Sequence, residues 1–153
     1  MGTQPPPEVV AAAKAADAKW RIPASVLLAQ WALESGWGKR EPPGSNNPFG
    51  EKAPVGDAGV RAPTTEDVGG TVVHIDAMFR AFLNIADAFD FHAEHLATSH
   101  WYIPARACLP DVERFCGALG GGTAARPNYS TSPVYGQSLM AVIRDSNLWA
   151  YDR

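Results

Sequence analysis

In WALESGWGKR, residues 31–40, a helical run ends at Ser35-Gly36 with Glu34 in its last turn and tryptophans at 31 and 37. A helix C-terminus carries partial negative charge, so a cation is the usual occupant and a carboxylate is out of place. General acid catalysis makes use of that misplacement. A carboxyl group that donates a proton near neutral pH must keep it, so its pKa must rise by roughly two units from its ordinary value. Apolar neighbours raise it and so does the negative end of a helix, and Trp31, Trp37 and the helix terminus offer both. The plainer alternative is a surface carboxylate paired with Lys39 or Arg40.

Other residue types with chemical capacity are few. His92, His95 and His100 in HAEHLATSH are not in the H-E-x-x-H pattern and read as solvated helix-surface histidines, with no metal site. Cys108 and Cys116 are the only cysteines. On a continuous helix they would lie about 12 Å apart, too far for a disulfide unless Pro110 folds the segment, so free, partly buried thiols are expected.

The elements that must position Glu34 follow from periodicity and punctuation. Glu8 to Trp20 read as an alanine-rich helix behind a Pro-rich lead-in over residues 1–7. Ala24 to Glu34 carry Leu27, Gln30, Trp31 and Glu34 along one helical face, and Gly36 and Gly38 stop the helix. Residues 42–59 are dense in Pro, Gly and Asn and form a loop. Val60 to Thr65 and Thr71 to Phe79 read as a β-hairpin lobe over about 60–79, joined by EDVGG, with Val73, Ile75, Ala77 and Phe79 on its half-buried side. Ile85 to Ala97 form a helix with Ile85, Phe89 and Leu96 on one side. Shorter pieces fit 103–108 and 111–119, and a last helix runs from Ser132-Pro133 to about Asn147 with Tyr135, Leu139, Val142 and Ile143 inward. The fold class is α+β and mainly α, in a single domain over residues 1–153.

Bulk properties narrow the partner class. A chain of 153 residues with 46% hydrophobic content can close one core. Its net charge of −3, without a Lys/Arg run, argues against nucleic acid and anionic membrane surfaces. MGTQPPPEVV lacks the charged and apolar regions of a signal peptide, and no apolar stretch reaches the roughly 18 residues of a membrane span, so no membrane insertion is expected. Work outside the cytoplasm would then require a holin, a secretion system or a larger parent protein.

The stretch SVLLAQWALESGWGKREPPGSNNPFGEK resembles the core signature of glycoside hydrolase family 73, the bacterial wall-lytic N-acetylglucosaminidases. The similarity continues through APTTEDVGG and DAMFRAFLNIADAFDFHAEHL and closes with PNYSTSPVYGQSLMAVIRDSNLWAYD. It implies a lysozyme-like fold, with a helical lobe and a small β-hairpin lobe flanking a substrate groove. The implied activity is cofactor-free hydrolysis of the β-1,4 bond between N-acetylglucosamine and N-acetylmuramic acid. A lytic transglycosylase or muramidase acting on the same polymer is the alternative, and a non-catalytic wall-binding or scaffold module is the alternative from another class.

Roles follow from the resemblance too. Glu34 matches the family's general acid, and Glu66 the position of a second glutamate in many members. Tyr129 and Tyr135 fall in its tyrosine-bearing C-terminal motif, with Tyr129 favoured as the cleft-lining one. Asp67 stands where the family often has an aromatic, which leaves Glu66 and Asp67 both open as the second carboxylate. Phe82 stands where a tyrosine is usual. For binding glycan, Trp31, Trp37 and Phe49 are candidate flat apolar surfaces and Asn46 and Asn47 candidate amides, the alternatives being core packing for Trp31 and turn-building for Asn46-Asn47-Pro48. The implied partner is a peptidoglycan strand. An immunity protein or export machinery are further candidates, and a monomer is expected.

Overall fold

A computed structural model describes residues 2–152; Met1 of the lead-in and Arg153 lie outside the described residues. Helix α1 (Pro7–Trp20) and helix α2 (Ala24–Ser35) are followed by a long loop. The antiparallel strands β1 (Val60–Val68) and β2 (Thr71–Phe79) come next. Helices α3 (Ile85–Thr98), α4 (Ile103–Arg106), α5 (Val112–Ala118) and α6 (Tyr135–Asp145) complete the chain, with short 3-10 turns at His100–Tyr102 and Leu148–Tyr151. The expected mainly helical α+β architecture is the one observed.

Helix α2 is the centre of the helical body. Every residue from Ala24 to Ala32 is buried, so it is covered on all sides and not along one stripe. α1 packs on α3, α5 on α6, and both α1 and α6 contact α2. Leu27, Leu28, Phe89, Leu96, Phe115, Leu139 and Ile143 fill the space between them. Pro23 precedes α2 and provides no side-chain cap. Its free amides are met from elsewhere: Asp17 accepts from the Ala24 N–H at 2.9 Å. Asp152 accepts from the Ser25 N–H at 2.7 Å and from the Ser25 hydroxyl at 2.6 Å. The last turn of α1 and the C-terminal segment are thereby tied to the central helix.

The hairpin differs from its expected form in two ways. β1 continues to Val68, pairing Glu66 with Val73 and Val68 with Thr71, so the turn is Gly69-Gly70 alone. Both glycines have positive φ, 61° and 87°, as a two-residue primed turn demands, and Asp67 Oδ1 accepts from the Gly70 N–H at 2.8 Å. Asp67 is exposed in this turn. The expected half-buried side of β2 is kept by Val73, Ala77 and Phe79, of which only Phe79 at the base is buried, whereas Ile75 is 39% exposed. A ribbon with no second layer on its face can bury only its base.

The last helix starts at Tyr135, later than Ser132, because residues up to Val134 are spent on turns. Cys108 and Cys116 are free, and burial pushes the Cys116 thiol up to about 12. That is a core thiol, not a nucleophile.

Replacing Asp152 with Ala removes the remote cap of α2 and should cost about 1–2 kcal/mol. Urea unfolding of the purified variant measures the loss through its midpoint.

Candidate active site

Glu34 stands on the wall of a cleft of about 350 Å³ between the helical body and the base of the hairpin. Arg40, Glu41, Pro42 and Pro43 from the segment after α2, Asn47, Pro48 and Gly50 from the long loop, and Ala62, Pro63, Thr64 and Phe79 from the hairpin form the rest. The sequence explains how the chain reaches this shape. α2 ends in three consecutive left-handed residues, Gly36, Trp37 and Gly38, at φ 58°, 60° and 84°. Glycine takes that conformation freely, whereas at Trp37 it is strained. At Gly38 a Cβ would lie 3.2 Å from the Trp31 ring, so the close approach also favours glycine there.

The carboxyl of Glu34 is open to solvent along the cleft yet has protein mass closely around it. That desolvation is the largest influence on its pKa and raises it, and the charge of Glu51 pushes the same way. The Tyr135 hydroxyl donates to Glu34 Oε1 at 3.2 Å and pulls the pKa back down. Indoles are not what surrounds it. Trp31 is 2% exposed and meets Trp37 edge-on at 5.6 Å, and both line a neighbouring groove of about 480 Å³ with Gly38, Asn46 and Ile85. The apolar side chains lining the Glu34 cleft are prolines, Ala62 and Phe79, with no tryptophan among them. Glu41 borders both grooves.

Two tyrosines back the carboxyl. Tyr135 is buried and Tyr129 stacks on it with ring centroids 5.7 Å apart. Burial first, and then the Glu34 charge, raises the pKa of both, so each stays a protonated hydrogen-bond donor.

Glu66 does not line the Glu34 cleft. It lies two residues beyond Thr64 on the same strand face, about 7 Å further along, where it is ion-paired with Lys52. Asp67 points into the hairpin turn, as described above, so of the two carboxylates Glu66 is the one on the Thr64 face.

Several expected ligand contacts are spent on the protein itself. Asn47 is 1% exposed; its Nδ2 donates to the carbonyls of Glu51 and Arg80 at 2.8 and 3.0 Å, and its Oδ1 accepts from the Glu51 N–H at 3.1 Å. Asn46 donates to the carbonyls of Phe82 and Leu83 at 3.0 and 3.3 Å. These amides clamp the long loop to the segment after β2. Phe49 is buried and stacks flat on His92 at 3.9 Å, so it offers no free face to a sugar. Trp31 is likewise core. Trp37, half-buried in the second groove, remains an accessible aromatic. Phe82 packs on Phe91 at 5.5 Å.

His92 is not a surface residue. It is fully buried, with Nε2 2.7 Å from Gln30 Oε1. Its position was legible: three residues after Phe89 and four before Leu96, it shares their inward face. His95 and His100 are exposed, as expected. Glu51 carried no comparable signal, because it gains its role only when the loop folds back beneath α3. No group of three metal-ligating side chains gathers among the described residues.

A helical body and a β-hairpin flanking a cleft with a hemmed-in glutamate define the lysozyme-like class of glycan-cleaving folds. The family model described as mannosyl-glycoprotein endo-β-N-acetylglucosaminidase matches residues 10–148, and the chain belongs to this glucosaminidase family, glycoside hydrolase family 73. The chain is 34% identical over 130 residues to the peptidoglycan hydrolase FlgJ of Pseudomonas aeruginosa, covering 80% of this chain and 31% of that protein. It thus spans about a third of the length of that relative. A mutant peptidoglycan hydrolase from Sphingomonas sp. A1 superposes with a TM-score of 0.74 at 31% identity, over 92% of each chain. The catalytic domain of the Listeria monocytogenes autolysin Auto shares the fold, with a TM-score of 0.80 at 24% identity over 99% of this chain and 91% of that one.

Because desolvation raises the Glu34 pKa, its carboxyl titrates above the ordinary value of 4.5. Tyr135→Phe removes a donor that stabilises the charged form, so it raises the midpoint further. Carboxyl-selective NMR titration measures both shifts.

Proposed function

We propose that this chain is a peptidoglycan hydrolase that cleaves the β-1,4 bond on the reducing side of N-acetylglucosamine, with Glu34 as general acid. The observation that carries the reading is the placement of Glu34: in an open cleft, on the last turn of a buried helix, with its pKa raised and a tyrosine on one oxygen. Oε1 accepts from Tyr135, so the acid proton belongs on Oε2, free to reach the glycosidic oxygen. As the bond breaks, negative charge grows on the carboxylate and the Tyr135 hydrogen bond strengthens. The reaction then needs no cofactor. Residues 1–153 act as one catalytic domain whose substrate is the wall glycan.

The second group is Glu66. Held by Lys52 on the cleft face of β1, it stands ready as a base that activates water when the hairpin closes over the sugar. If the acetamido group of the substrate attacks its own anomeric carbon instead, Glu66 is dispensable. Glu66→Gln separates the two routes: a base role predicts a fall in kcat of about a hundredfold or more, and substrate assistance predicts little change.

A second reading concerns which bond is cut. The chain is 32% identical over 153 residues to a Lactococcus lactis protein named "Probable N-acetylmuramidase", covering 94% of this chain and 33% of that protein. Mass spectrometry of digested peptidoglycan decides between them. Reducing N-acetylglucosamine ends support the glucosaminidase reading, reducing N-acetylmuramic acid ends a muramidase, and 1,6-anhydro ends a lytic transglycosylase. Glu34→Gln should abolish lysis while wall binding persists; undiminished lysis refutes the assignment.

A further inference from the structure

We propose that His92 is a positioning residue that sets the direction of a buried hydrogen-bond chain ending on Glu34. The chain runs from His92 Nε2 to Gln30 Oε1 at 2.7 Å, from Gln30 Nε2 to the Tyr135 hydroxyl at 3.2 Å, and from that hydroxyl to Glu34 Oε1 at 3.2 Å. His92 and Gln30 are both 0% exposed, so bulk solvent does not reach either side chain. This inference rests on the reading of Glu34 as the acid.

The direction follows from donor and acceptor capacities. Gln30 Oε1 only accepts, so with that oxygen facing Nε2 the tautomer that completes the contact is the one carrying its hydrogen on Nε2. That hydrogen fixes the Gln30 amide with its oxygen toward His92 and its N–H toward Tyr135. Tyr135 then accepts from Gln30, and its single hydrogen is left for Glu34. With the amide reversed, Gln30 Oε1 would take the Tyr135 hydrogen and Glu34 would lose its donor. Side-chain amides reverse at little cost unless a partner forbids it, and here the partner that forbids it is an Nε2–H.

The surroundings of His92 hold it in that form. Phe49 stacks on one face, and Tyr129 meets the ring edge-on at 5.4 Å. Burial lowers the imidazole pKa, and His95 on the same helix adds to that. Glu51, reaching over from the long loop, acts the opposite way. Its Oε1 lies 3.6 Å from Nδ1, the one buried side-chain polar atom without a hydrogen-bond partner among the described residues. A proton arriving at Nδ1 would pair with Glu51 and leave the Nε2 hydrogen in place, so the chain keeps its sense in either state. The charged or titratable groups near Tyr135 are Glu34, Cys116 and Tyr129.

His92→Phe keeps a ring against Phe49 but removes the N–H. Gln30 Oε1 would then be buried without a donor unless the amide turns over and takes the Tyr135 hydrogen. Loss of one hydrogen bond to the developing carboxylate predicts a roughly tenfold fall in kcat with KM unchanged. The alkaline limb of the kcat–pH profile moves to higher pH, because Glu34 loses a donor that lowered its pKa. His92→Gln, whose amide nitrogen reaches the Nε2 position, restores both. A merely structural role would not move the limb. An unmoved limb in a folded His92→Phe protein overturns the proposal, and so does a Gln variant no better than Phe. A measurement on the unmodified protein needs no variant to fold: nitrogen-15 NMR should find the His92 hydrogen on Nε2, and a hydrogen on Nδ1 alone overturns the proposal. Such failures leave the assignment of Glu34 standing, since that is decided by Glu34→Gln.

Discussion

Helix α2 is covered on all sides, and that burial governs most of what the protein can do. Its buried polar side chains, Ser25, Gln30 and Ser35, must find partners within the fold. Ser25 finds Asp152 near the end of the chain, and the Ser35 hydroxyl accepts from the Gly38 N–H at 2.8 Å while donating to the Trp31 carbonyl. Gln30 finds His92 on α3 and Tyr135 on α6. Each satisfied group is also a tie between elements far apart in sequence. The helix ends at Ser35, one residue past Glu34, so this buried element presents its one carboxylate to the cleft.

This arrangement bears on the two demands that the proposed role of general acid makes of Glu34. It must be reachable by substrate, and its carboxyl must hold a proton that a free carboxyl would lose. Openness along the cleft serves the first, and desolvation by the surrounding protein shifts the pKa upward, toward the second. Tyr135 opposes the crowding, and its hydrogen bond draws the pKa back down. The neighbouring Glu51 supplies a charge that the family resemblance did not foretell. The Gly36-Trp37-Gly38 turn, strained at Trp37, redirects the chain at once so that Arg40 to Pro43 form a wall of the cleft.

Amino-acid order by itself determined the helices, the hairpin, the loop between them and the place of Glu34 in the last turn of α2, since periodicity, glycine placement and the family signature are local properties. It also placed His92 on an inward face, although the histidine pattern drew attention away from that spacing. What only the tertiary structure decided was the use of each polar or aromatic side chain. Asn46 and Asn47 became loop clamps, and Trp31 and Phe49 became core, because backbone carbonyls and rings from distant segments arrived there first. Glu66 was separated from the Glu34 cleft by strand length and by Lys52, an ion pair that spacing alone does not reveal. Burial, hydrogen-bond direction and pKa are set by whatever the rest of the chain brings within a few ångströms, and no linear pattern encodes that.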